Sequence, residues 1–126
     1  MRKRKRLWLV FAVTIIAILM AVAISRYRSV VRQTKEIVLK DDLLEIRRVI
    51  NEYIQDKQTV PQSLQDLVQA SYFRQLPIDP MTNSNSTWKP VVGTMVIFPG
   101  KMGRGITDLH SGSSSISSNG TAYSSW

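Results

Sequence analysis

Residues 20–57 read MAVAISRYRSVVRQTKEIVLKDDLLEIRRVINEYIQDK, and the fold turns on whether this stretch is one helix or two segments with a break. It holds no glycine and no proline, and neither does the run from Leu7 leading into it. Nothing in the local chemistry therefore stops a helix between Leu7 and about Asp56. Within the stretch the character of the helix changes. Leu39, Leu43, Ile46, Ile50 and Tyr53 recur at spacings of four, three, four and three, with Val49 and Ile54 beside them, which lines one face with apolar groups. Lys35, Lys40, Asp41, Glu45, Arg48, Glu52 and Gln55 fall on the other side. Of the pairs Glu36–Lys40, Asp41–Glu45 and Glu52–Asp56 only the first is attractive, so that side reads as a solvated face. A helix of about fifty residues would be roughly 75 Å long.

Upstream, Leu7 to Ile24 is a run of eighteen residues with no charge and a single hydroxyl, that of Thr14, which can bond back to its own helix. At 1.5 Å per residue the run spans about 27 Å, close to the hydrocarbon thickness of a bilayer. Leu7, Phe11, Ile15, Leu19 and Ile24 are the expected membrane-anchor residues. Arg2, Lys3, Arg4, Lys5 and Arg6 precede the run, and a dense basic block there predicts an N-terminus on the cytoplasmic side with the remainder outside. A cleaved signal peptide is the competing reading, with Ala21-Val22-Ala23 as its A-x-A site. Against it, the apolar run is longer than a usual h-region, and the helical pattern continues straight past the site.

The chain carries 17 basic and 9 acidic residues, a net charge of +8, but the N-terminal block supplies five of those charges. The remaining twelve basic and nine acidic residues leave only +3, too little to point to nucleic acid as a partner. With no cysteine there is no disulfide, Cys-based zinc site or thiol catalysis, and the lone histidine, His110, makes no His-based metal site or triad. No pair of acids, phosphate-binding Gly-rich loop or nucleophile–base spacing is present, so no enzymatic activity is expected.

Beyond the long helix, Gln58-Thr59-Val60-Pro61 reads as its stop. Ser63-Leu64-Gln65-Asp66 has the form of an S-x-x-D capping box, opening a short helix through Ala70 with Leu64, Leu67 and Val68 inward. Leu76 to Asn83, with Pro77 and Pro80, is a loop. Strand signals follow at Trp88–Val92, at Thr94–Phe98 as a continuation or a second strand, and at Gly105–His110, with Pro99-Gly100, Gly103 and Gly105 as hairpin punctuation. The last stretch, Ser111–Trp126, is rich in Ser, yet Ile116, Tyr123 and Trp126 predict that it folds back onto the domain. The expected organisation is a basic segment 1–6, a membrane-spanning half-helix 7–25, a soluble half-helix 26–57, and a head 58–126. The class is α+β: a long helix packed against a short helix and a small antiparallel sheet.

In that order, several strings resemble the type IV pilin-like superfamily, and most of all the major pseudopilin of type II secretion (the general secretion pathway protein G type). Ile24-Ser25-Arg26-Tyr27 resembles the end of that family's membrane segment, and Lys35–Tyr53 its helix continuation. Val60-Pro61-Gln62-Ser63-Leu64-Gln65-Asp66-Leu67-Val68 and Leu76-Pro77-Ile78-Asp79-Pro80-Met81-Thr82 are the strongest matches. Gly105–Ser113, Asn119–Tyr123 and Trp126 resemble the C-terminal strand and loop of one subgroup. The similarity runs from about Leu9 to Trp126.

The resemblance implies a structural subunit or accessory of a type II secretion or type IV pilus-like apparatus. Its implied partners are other pseudopilins, the inner-membrane assembly platform and the lipid bilayer. Assembly as a homo-oligomer or filament is implied too, with the chain single-pass in the inner membrane and the head outside. Two alternatives come from other classes: an exported soluble binding protein released after Ala23, and a DNA-uptake pilin. The resemblance breaks at the front. Lys3 stands where the family's processing glycine belongs, Trp8 where its glutamate belongs, and Ser25 where its proline belongs. Prepilin-peptidase cleavage and N-methylation therefore have no visible substrate. The family also binds calcium in a C-terminal loop through an Asp side chain and backbone carbonyls. Asp108 and Asn119 are the residues here that such a site would use, but one carboxylate and an amide fall short of the 6–8 oxygens of a strong calcium site. No other cofactor is expected.

Overall fold

The computed structural model describes Arg2–Trp126 and is α+β. Helix α1 covers Arg2–Lys57 without interruption, α2 covers Gln65–Gln69, β1 covers Lys89–Phe98 and β2 covers Lys101–His110, and a single 3-10 turn closes the chain at Tyr123–Ser125. The chain divides into two compact units, one ending at Thr34 and the other running Lys35–Trp126.

In the first unit, α1 carries the apolar run with its side chains outward. The Thr14 hydroxyl donates to the Val10 carbonyl at 2.8 Å, so the single hydroxyl of the run is satisfied within the helix, as expected.

In the second unit, the stripe on α1 is the centre of the core. Leu39, Leu43, Ile46, Val49, Ile50 and Ile54 are buried together with Val60, Leu64, Leu67, Leu76, Trp88, Ile106, Leu109 and Tyr123. Of the expected stripe only Tyr53 stays half-buried, its ring 5.9 Å from that of Tyr72. The opposite face differs from expectation at one position. Glu36 is buried, at 7 % exposure, and extends the stripe by one turn in place of pairing outward with Lys40. The attractive contacts on the exposed side join Arg48 to Glu45 at 2.6 Å and to Glu52.

α1 ends at Lys57, and the next residue, Gln58, has a left-handed φ of 55°, a conformation that breaks the helix at a non-glycine residue. The Gln58 amide still bonds the Ile54 carbonyl at 2.9 Å, and its side chain bonds the Gln55 carbonyl at 2.6 Å. The capping box before α2 is half-formed. Asp66 reaches back to the amides of Gln62 at 2.7 Å and Ser63 at 3.2 Å, but the Ser63 hydroxyl bonds the Asp66 carboxylate and caps no amide. The helix consequently opens at Gln65 and closes at Gln69. The Gln62 bond above all, despite partial burial, holds the Asp66 carboxyl below its ordinary value.

The sheet is one antiparallel hairpin. Thr94–Phe98 continues the first strand, and the second begins at Lys101, so Gly103 and Gly105 lie inside β2 where turn punctuation was expected. The turn itself is Pro99-Gly100, with Gly100 at φ 89°, as a type II turn requires. Gly105 has a packing reason: a Cβ there would stand 2.5 Å from the Pro61 carbonyl oxygen, which accepts the Ile106 amide at 2.7 Å. The pairing slips between Val91 and Val92, whose partners are Asp108 and Ile106, leaving Thr107 as the extra residue of a bulge. In an unbulged strand Ile106 and Asp108 would share a face. The bulge instead sends Ile106 and Leu109 into the core and leaves Asp108 half-exposed beside it.

Candidate functional site

The first candidate surface is the apolar half of α1. Leu7, Phe11, Ile15, Leu19 and Ile24 are all exposed, none below 49 %. Val10, Val13, Ile16, Ile18, Met20 and Val22 are exposed as well, so apolar groups surround the helix on every side. A helix apolar all round needs lipid or other helices as its solvent. The run is long and apolar enough to cross a membrane, and none of it is buried within the protein. Lys3 and Trp8 lie on the same helix, Trp8 at 77 % exposure. Ala21-Val22-Ala23 is helical throughout, with no extended segment at the A-x-A position.

The second candidate is the seam where Ser111–Trp126 returns to the head. Three charged side chains fasten it. Glu36 of α1 accepts the Ser118 amide at 2.8 Å, the Ser118 hydroxyl at 2.5 Å and the Tyr123 hydroxyl at 2.7 Å. Asp79, wholly buried in the loop between α2 and β1, accepts the Ser111 hydroxyl at 2.6 Å, the Gly112 amide at 3.1 Å and the Met81 amide at 2.9 Å. Gly112 fits there because a Cβ would sit 2.2 Å from the Thr87 carbonyl oxygen. Arg47 of α1 donates Nε to Asp108 Oδ1 at 2.6 Å and Nη2 to the main-chain oxygens of Leu109 at 3.1 Å and Trp126 at 2.6 Å. His110 Nδ1 bonds that same Trp126 oxygen at 2.7 Å.

These fastenings work because a carboxylate in a dry site must be met by donors, and here each has two or more. Burial alone would raise the Asp108 carboxyl. The Arg47 hydrogen bond and charge, with the Leu109 amide and His110, overcome this and hold it below its ordinary value. Asp42 behaves oppositely: burial first, then the neighbouring charges of Asp41 and Asp79, raise it. Tyr123 is buried and Trp126 half-buried, their rings 5.2 Å apart edge to face, with the Lys40 ammonium 4.8 Å from the Trp126 ring. Ile116 departs from expectation. It is 56 % exposed and forms an isolated bridge with Ala122 of the same segment, whereas Tyr123 is buried and Trp126 packs against the core.

The oxygens named for calcium do not fit it as they stand. Asp108 already faces a guanidinium. Asn119 is exposed, and its Oδ1 accepts Ser117 Oγ, the Thr121 amide and Thr121 Oγ1, which makes it the hub of a turn. Among the described residues no three His, Cys, Asp or Glu side chains gather into a possible metal group.

Sequence reasoning put Glu36 in a surface pair with Lys40 and gave Arg47 and Asp79 no fastening role, though Glu36 and Asp79 carried a signal. Residues 36, 39, 43, 46 and 50 keep the stripe's three-and-four spacing, which places Glu36 on the buried face. Asp79 stands between prolines in a loop, where an acid that bonds its own backbone is a turn former. Compared with known proteins, the chain matches no family model, no curated protein and no solved structure.

Proposed function

We propose that this chain is a non-enzymatic, pseudopilin-like structural subunit or accessory of a type II secretion or type IV pilus-like apparatus. In this reading it is held in the inner membrane by residues 7–25, with the basic N-terminus in the cytoplasm and the head outside. Its partners are other pilin-like subunits and the membrane platform that assembles them.

One observation carries the reading: a single unbroken helix is apolar and exposed all round in its first half and supplies the spine of an α+β head in its second. Such a helix suits a subunit whose first half moves between lipid and a bundle of like helices. Lys3 and Trp8, in place of the family's glycine and glutamate, favour an uncleaved anchor. Five basic residues kept at the tip are costly inside an apolar bundle, which favours an accessory that remains in the membrane over a polymerised subunit.

Two measurements test this. Mass spectrometry of the intact chain from membranes is expected to find the N-terminal basic block present and unmethylated. A mature start at Ile24 would instead establish the released, soluble protein. Photocrosslinking from the exposed helix surface, at Ile15 and Leu19, is expected to capture other pilin-like subunits or the platform. Crosslinks to lipid alone would sink the assembly role and leave only the anchor.

A further inference from the structure

Arg47 sits at the edge of the buried stripe, and its guanidinium meets three oxygens from two places in the chain: a carboxylate oxygen of Asp108 and the main-chain oxygen of Leu109, both at the end of β2, and the main-chain oxygen of Trp126. One carboxylate and two main-chain oxygens converging on one positive centre is the donor chemistry a hard cation such as calcium uses. Here the positive centre is covalently part of α1. We propose that the Arg47 guanidinium is the resident cation of the C-terminal segment, locking Ser111–Trp126 onto the head so that the head closes without calcium.

Three physical points support the assignment. A guanidinium stays protonated at every accessible pH and offers five donors in a rigid plane, so it meets several oxygens at once without dehydrating a divalent ion. Its Nε and Nη2 stand 2.6–3.1 Å from these oxygens, so an incoming ion must expel the side chain and overcome its charge. The bulge at Thr107 is what turns Asp108 toward Arg47, so the strand irregularity and the internal cation belong to one device. The cluster is also braced: His110 Nδ1 shares the Trp126 oxygen, and the Trp126 indole donates to Thr121 Oγ1 at 2.8 Å. The inference concerns how the head closes, and it stands whether or not the chain joins a filament.

Hydrogen exchange read by mass spectrometry, on the full-length chain in detergent micelles, tests it. Wild type is expected to show the same protection over 111–126, and the same melting midpoint, in excess EGTA and in millimolar CaCl2. Arg47→Ala in EGTA is expected to exchange roughly ten-fold faster over 111–126 while 39–54 stays protected, because only the local opening equilibrium changes. If Arg47→Ala does not fold, Arg47→Lys, which keeps the charge and loses the planar fork, is expected to exchange faster than wild type in the same segment. Calcium that slows exchange over 111–126 or raises the midpoint in wild type would overturn the proposal. So would wild-type exchange rates in the readable variant.

Discussion

Two parts of α1 share one backbone and face opposite problems. Between Leu7 and Ile24 the helix is apolar on every side and buries nothing within the chain. Between Glu36 and Ile54 it is apolar on one stripe, and that stripe is buried almost to completion, with Leu39, Ile46 and Ile50 at 0 % exposure. The difference teaches that helix formation and helix burial are separate questions. Unbroken helix-compatible sequence makes the helix in both parts. The distribution of apolar residues around it decides whether its solvent is the rest of the head or something outside the chain.

Substitutions at matched sites in the two parts give the sharpest contrast. Ile46→Ala opens a cavity in the core and is expected to lower the head's stability by about 2–5 kcal/mol, while Ile15→Ala leaves it unchanged; thermal unfolding of both variants in detergent reads this. If the two shifts were equal, the division between the parts would fail. Ile15→Arg is expected to reverse the pattern, leaving the head's melting intact but opposing membrane insertion by roughly 2.5–3.5 kcal/mol, visible as a drop in the carbonate-resistant fraction.

Smaller effects probe the seam. Tyr123→Phe removes one of the donors that meet buried Glu36 and is expected to cost about 1.5–3 kcal/mol, read by chemical denaturation. Acid tests the Asp108 contact. The folded-state carboxyl lies below its ordinary 3.8, so its contribution is full above that value and disappears as pH falls through the lowered folded value. Protection over 111–126 should therefore persist at pH 5 and fall below about pH 3.8, and the Asp108→Asn variant should lack that acid step. Least of all, Arg48→Ala removes the exposed contacts to Glu45 and Glu52 and should leave the melting midpoint unchanged, because solvent and salt screen such pairs.

Much of the architecture was legible because it rests on periodicity. The long helix, the stripe from Leu39 to Ile54, the short helix, the Pro99-Gly100 turn and the fold-back of Tyr123 and Trp126 all follow from spacing, breakers and apolar content, and the structure has each of them. The candidate seam was much less legible. Asp108 stood out as a lone acid and was matched to an ion, whereas its partner is an arginine sixty-one residues earlier. Glu36 looked like a member of a surface pair with Lys40, because an i,i+4 spacing is visible in one dimension and a contact with Tyr123 across the chain is not.

What the amino-acid order determined by itself is that α1 runs unbroken from the apolar segment into the head, the place where its character changes, and the concentration of charge ahead of the apolar run, although the helix itself begins earlier than the apolar pattern, at Arg2. These depend on neighbours within a few turns, and local sequence contains them. Tertiary structure alone decided which polar side chains fasten the head. The bulge at Thr107 selects the face on which Asp108 emerges, and the return of the chain brings the main-chain oxygens of Leu109 and Trp126 to Arg47. A buried charge is tolerable only where donors from distant segments converge on it, and that convergence exists only once the chain has closed.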